Sequence, residues 1–260
     1  MKVVIFCGGM GVRMGEATQR IPKPMITVGT QPMLWHIMKW YASWGHTEFV
    51  LCLGYQGEMV KKYFLDYDEA LSNDFMLFNG GRDIELFGTD ISDWRITFVD
   101  TGAQSTIGER LKAVEAHIDD PVFLATYGDG LTDAPLDEMI ARLDASGKTG
   151  LFISVRPRLE YHMVRTDGDG VVESLESLSA ADVRINGGYF VFRRGIFDAI
   201  QPGEELVEEP FARLIERREL LVYEYDGFWE PMDTIKDKQQ LDTLFASGRS
   251  PWLRSPADTP

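Results

Sequence analysis

The chain has 260 residues, 44% of them hydrophobic and 12% aromatic, enough to bury one sizeable core. Its 41 acidic residues against 26 basic ones leave a formal charge of −15, which argues against nucleic acid as a partner. Any phosphate ligand then needs a local basic cluster or a metal ion to reverse the field.

An apolar run at 2–6 predicts a strand that leads straight into Gly8, Gly9 and Gly11, with Arg13 just behind. Glycine lets a backbone approach phosphate oxygens and turn its N–H groups toward them, and arginine adds charge. The spacing lacks the third glycine of a dinucleotide fingerprint and the Gly-Lys-Ser/Thr of a P-loop, which disfavours a hydride-transferring enzyme. Lys23 follows between Pro22 and Pro24. Both prolines fix φ, and Pro24 also restricts Lys23 toward extended geometry, so the cation is held rather than loose.

Helical spacing over 32–44 has Pro32 near its start and Gly45 past its end. A strand at 49–53, a helix at 57–64, a strand at 96–99, a helix at 108–117 and a buried strand at 122–126 come next. A helix at 135–145 and a strand at 149–155 continue the alternation, which predicts an open, mostly parallel α/β sheet. Between them, 79–82 reads as a loop and 83–94 as a hairpin or an excursion. The remainder is richer in strands, at 161–166, 171–175, 188–192 and 220–225, with helices at 207–217 and 235–246. Residues 253–260 are expected to form a flexible tail.

Two acids stand out. Asp129 lies between Gly128 and Gly130 just after a buried run, which puts it at the carboxyl edge of a parallel sheet, where such folds bind ligands. Asp233 stands just before the helix at 235–246, where an N-cap is the competing role. Two carboxylates and a triphosphate together suit Mg²⁺. Cys7 and Cys52 read as buried thiols, and His36, beside Trp35 on an apolar face, as a satisfied core residue. The four histidines show no metal spacing, and no nucleophilic serine or cysteine motif suggests covalent catalysis. No run is apolar enough to span a bilayer and no leader is expected, which implies a cytoplasmic setting without a membrane partner.

The chain resembles the sugar-1-phosphate nucleotidyltransferases, most closely the glucose-1-phosphate cytidylyltransferases. The resemblance runs from Lys2 to about Trp252. It rests on Gly8-Gly9-Met10-Gly11-Val12-Arg13, Pro22-Lys23-Pro24-Met25, Leu34-Trp35-His36-Ile37-Met38 and Val99-Asp100-Thr101-Gly102. It continues through Tyr127-Gly128-Asp129-Gly130, Ile185-Asn186-Gly187-Gly188 and Gly227-Phe228-Trp229-Glu230-Pro231-Met232-Asp233-Thr234. The resemblance implies a Rossmann-like α/β fold with a smaller strand-rich acceptor part. One domain would cover 1–252, its nucleotide part about 1–130 and its sugar part about 131–234.

The implied reaction joins an NTP, CTP favoured, to a sugar 1-phosphate and releases pyrophosphate. Lys23 and Arg13 would be catalytic, Gly8, Gly9, Gly11, Arg13, Ser105 and Arg110 would contact the nucleotide, and Asp129 and Asp233 would hold Mg²⁺. Asn186, Gly187 and Glu176 would contact the sugar, and a homo-oligomer is expected.

Three positions depart from the family's pattern. Val12 stands where the loop commonly has threonine, Ile107 aligns with a second threonine, and Glu176-Ser177-Leu178 replaces the usual Glu-Lys-Pro. The lysine that would grip the sugar's phosphate is thus Ser177, and Arg184, Arg156 and Arg158 are candidate substitutes. Two further readings follow: the same chemistry with GTP or another NTP and an unusual sugar or cyclitol phosphate, or an inactive nucleotide-sugar sensor. Retention of Lys23, Asp129 and Asp233 argues against the sensor.

Overall fold

A computed structural model describes residues 1–8, 21–157, 162–177 and 183–253. Strand β1 (Lys2–Phe6) leads to Gly8, and a 3-10 turn at Lys23–Met25 precedes the short strands β2 (Thr27–Val28) and β3 (Gln31–Pro32). Helix α1 (Met33–Ser43), strand β4 (Glu48–Leu53) and helix α2 (Gly57–Leu65) follow. Next come the hairpin of β5 (Phe75–Phe78) and β6 (Asp83–Leu86), strand β7 (Arg95–Asp100) and helix α3 (Ile107–Ala113). Then come β8 (Val122–Tyr127), β9 (Gly130–Thr132), α4 (Leu136–Ser146) and β10 (Gly150–Val155). A second hairpin pairs β11 (His162–Thr166) with β12 (Val172–Ser177). The chain continues through β13 (Ile185–Arg193), α5 (Glu209–Glu216), β14 (Leu220–Tyr225), β15 (Trp229–Pro231) and α6 (Ile235–Ala246).

Seven strands make the central sheet in the order β14-β10-β13-β8-β1-β4-β7. All run parallel except β13, which is antiparallel to both β8 and β10. The runs Val3–Phe6 and Phe49–Leu53 are almost wholly buried because helices cover both faces, as parallel strands require. One face packs against α1, α4 and α6 through Val3, Ile5, Met33, Ile37, Met139 and Leu241. The other packs against α3 and α5 through Val4, Phe6, Leu111, Phe211 and Leu214. Cys7 and Cys52 are both buried thiols, one in each of these layers.

Most expected elements are present with their ends moved by one or two residues. The helix expected over 108–117 is shorter: α3 stops at Ala113, and a 3-10 turn takes Glu115–His117. The strand expected at 188–192 is longer, because Ile185 and Asn186 already pair with β10. The loop at 79–82 is the tip of a hairpin whose first strand precedes it, at Phe75–Phe78. Tyr161 and the tail after Leu253 lie outside the described residues.

His36 is a satisfied core residue. The Trp252 indole donates to its Nδ1 at 3.1 Å, which leaves the proton on Nε2, 2.9 Å from the Val28 carbonyl. Burial depresses its pKa from 6.5 to about 4, against smaller opposing effects of backbone hydrogen bonds.

Candidate active site

The parallel strands β1, β4, β7, β8, β10 and β14 all end at one edge of the sheet, and the reversed β13 begins there. The chemistry-bearing residues gather along that edge. Beyond β8 the chain turns at Gly128 and presents Asp129. Strand β15 pairs antiparallel with β9, opposing Pro231 to Gly130, and the Met232 N–H donates to the Asp129 carbonyl at 2.8 Å. This pairing brings Asp233 beside Asp129.

Lys23 joins the two acids. Its Nζ lies 2.7 Å from Asp129 Oδ2 and 2.7 Å from Asp233 Oδ1. Its side chain is 11% exposed, against 35% and 38% for the two carboxylates. Burial alone would lower the Lys23 pKa, but Asp129 and then Asp233 outweigh it, so the pKa is raised and the ammonium stays charged. The 3-10 turn that carries it is closed by the Met25 N–H on the Pro22 carbonyl and the Ile26 N–H on the Lys23 carbonyl.

Asp233 is not the helix cap. Thr234 takes that position: its hydroxyl accepts from Asp237 N–H, while the Asp237 carboxylate accepts from Thr234 N–H at 2.7 Å and Asp233 N–H at 3.0 Å. The Asp233 side chain is thereby left to face Lys23.

The two carboxylate oxygens lie at most twice 2.7 Å apart, since both touch one nitrogen. That all-oxygen pair suits a hard divalent cation that takes its remaining ligands from phosphates and water. Among the described residues no group of three or more His, Cys, Asp or Glu could hold a metal by itself. The residues therefore fit a metal shared with a substrate.

On the β1 side, Gly8 lets a pinned guanidinium pack directly against the backbone. A Cβ there would sit 2.0 Å from Arg110 Nη1. Arg110 is buried, and its guanidinium donates to the Gly8 carbonyl, the Leu53 carbonyl and the Thr101 hydroxyl at 3.3, 3.2 and 2.8 Å. Ser105 donates to the Thr101 carbonyl. Both expected nucleotide contacts thus stand at the ends of β1, β4 and β7, with Arg110 beneath the glycine. Gly9, Gly11, Val12, Arg13 and Arg158 lie outside the described residues.

Toward β13, Asn186 Oδ1 accepts from the Gly188 N–H at 2.9 Å. Gly188 has φ +75°, and a Cβ on it would lie 2.4 Å from the Tyr127 ring. The Trp229 indole donates to the Gly187 carbonyl at 2.7 Å. Glu176 is exposed on the β11–β12 hairpin, outside the main sheet.

Trp229 belongs to a stretch that carries the resemblance but has no role assigned by sequence, and nothing singles out Tyr225 or Asp226. The one local hint for Trp229 is that a half-buried indole N–H needs an acceptor. A cavity of about 290 Å³ lies here, lined by Val155, Arg156, Pro157, Tyr225, Asp226, Gly227 and Trp229.

The profile of the family described as nucleotidyl transferase matches residues 2–237. The chain is 37% identical over 254 residues to the glucose-1-phosphate cytidylyltransferase of Salmonella typhi, covering 97% of this chain and 98% of that one. It is 36% identical over 254 residues to the probable glucose-1-phosphate cytidylyltransferase of Bacillus subtilis (strain 168), covering 97% and 99%. A solved structure of UDP-glucose pyrophosphorylase complexed with UDP-glucose is similar in fold, with TM-score 0.69, 15% identity and coverage of 95% and 99%.

Proposed function

Because the chain belongs to the nucleotidyl transferase family, we propose that it joins CTP to a sugar 1-phosphate, giving a CDP-sugar and pyrophosphate. The observation that carries this reading is the convergence of Lys23, Asp129 and Asp233 at the carboxyl edge of the sheet. An oxygen of the sugar phosphate attacks the α-phosphorus in line. The bond to the bridging oxygen breaks, and pyrophosphate leaves with the electron pair. The attacking phosphate is already an anion, so no proton needs to be removed, and catalysis is positioning plus charge neutralisation.

Asp129 and Asp233 would hold Mg²⁺, which when bound supplies positive charge to the phosphate oxygens. Lys23 stays protonated, and with Mg²⁺ on the two carboxylates its ammonium would turn from them to the same phosphate oxygens. The strand ends at Gly8, Leu53 and Thr101, braced by Arg110, form the nucleotide half of the edge, about residues 1–130. The start of β13 with Trp229 forms the acceptor half, about 131–234.

A homo-oligomer in a cytoplasmic setting completes the proposal, and the exposed apolar side chains of the β5–β6 hairpin support the oligomer. Among the described residues, no helix is long and apolar enough to cross a membrane.

Pyrophosphate release, measured for each of four NTPs against several sugar 1-phosphates with Mg²⁺, tests the reading. CTP with a sugar 1-phosphate is expected to give the highest rate. A higher rate with another NTP would move the base assignment, and silence across the panel would sink the enzyme.

A further inference from the structure

The cavity beside the acceptor half is built around shared charge. Arg184, just before β13, donates to the Ser154 carbonyl at 3.1 Å and to Asp226 Oδ1 at 2.8 Å, and is only 16% exposed. Arg156, which lines the cavity, places its Nε 3.2 Å from the same Asp226 oxygen. Two guanidinium groups therefore converge on one carboxylate oxygen, whose side chain is 63% exposed. Glu224 approaches Arg184 at 3.6 Å from a still more exposed position.

Trp229 connects this cavity to the reacting groups. Its indole lines the cavity, donates to Gly187, and lies 3.9 Å from where a Cβ on Gly130 would stand, one residue from Asp129. In the sheet, β10 is two strands from β8. At a strand spacing of roughly 4.8 Å, the end of β10 lies about 10 Å from the end of β8. Arg184 precedes β13, beside β8, but turns its guanidinium away to the Ser154 and Tyr225 carbonyls at the ends of β10 and β14. Arg156 follows β10 and meets Asp226 there, so both guanidinium groups are held on the far side from a phosphate reacting above Lys23. The separation of the two strand ends is the distance at which the far end of a hexose-sized acceptor arrives.

We propose that Arg156 and Arg184 form a distal anion site, and that the acceptor carries a second anionic group, a carboxylate or a phosphate, remote from its reacting phosphate. Asp226 Oδ1 holds the place of that anion's oxygen and swings out to solvent when the acceptor enters. A guanidinium pair binds a bidentate anion through charge-assisted hydrogen bonds, and losing one such contact weakens binding by roughly ten- to a hundredfold. This inference rests on the acceptor being a sugar phosphate, and it narrows the class of acceptor.

The test compares glucose 1-phosphate, glucuronic acid 1-phosphate and glucose 1,6-bisphosphate, read as kcat/KM for pyrophosphate release and as calorimetric affinity. One or both charged acceptors should exceed glucose 1-phosphate by about tenfold or more; the carboxylate and bisphosphate arms tell which anion is meant. Arg156→Gln should erase most of that preference. Asp226→Asn, which removes the competing internal anion, should enlarge it. The inference is overturned if glucose 1-phosphate matches both charged acceptors, or if Arg156→Gln weakens all three in equal proportion. If no acceptor turns over with any NTP, the proposed reaction fails, while the calorimetric comparison still decides the distal site.

Discussion

At Lys23, segments 106 and 210 positions distant in sequence are joined through one nitrogen. Replacing it with alanine leaves two carboxylates facing each other without a cation. Removing a preorganised charge of this kind typically costs roughly 10²–10³ in turnover. Stability should change little, because both acids are more than a third exposed and water screens them. Lys23→Ala is therefore expected to retain its melting temperature within a few degrees while pyrophosphate release collapses; a rate near wild type would remove Lys23 from the mechanism. Each of the three residues had a local signature: two prolines around Lys23, a Gly-Asp-Gly turn after a buried run, and an acid at a helix start. Their convergence had none, because it depends on β15 pairing with β9 across the fold. The helix-start acid also shows how local reading stops short, since Thr234 next door takes the cap. Arg184 stood out as a candidate grip for the sugar's phosphate, but its pairing with Asp226 was hidden, as nothing near either position signals a shared partner.

Helix α1 is held at its centre by an element from the other end of the chain. Trp252 is fully buried and donates to His36, which is itself wholly inaccessible. Protonating His36 would remove the acceptor that the indole needs and bury a charge. The folded pKa of about 4 lies below the unfolded value of 6.5. The stabilisation is thus complete above pH 6.5 and is lost as pH falls toward 4. Between pH 6.5 and 5 the loss attributable to this group is about 1.5 kcal/mol. Denaturant titrations of wild type and His36→Gln at both pH values check this. The variant keeps a donor and an acceptor but cannot titrate, so its stability should fall less by about that amount. Equal losses in the two proteins would show that His36 is not the sensor.

Across the whole molecule, buried parallel strands were legible because both their faces need apolar residues, and continuous runs such as Val-Val-Ile-Phe announce them. The β5–β6 hairpin was only half legible for the opposite reason. Phe75 and Leu77 share a face with Leu86 and Ile84, yet all but the half-buried Leu86 are exposed. Pattern alone would put those side chains inside. An apolar face of this kind is what a second copy would bury, despite the net charge of −15 that favours separation. Leu77→Glu with Ile84→Glu is expected to lower the mass measured by light scattering and leave the fold intact. A wild-type monomer, or an unchanged mass in the variant, would rule this interface out.

The guanidinium under Gly8 has a wider consequence. By holding a carbonyl or hydroxyl from three successive strands, Arg110 clamps the ends of β1, β4 and β7 into one stiff rim. The ordering entropy of that rim is settled during folding, before any nucleotide arrives. On the proposed function, selectivity on this side would come from how well a base matches a rigid border, while the cavity at the other end of the sheet, with the Asp226 proposed to be displaced, would keep the softer half of the molecule for the partner that varies.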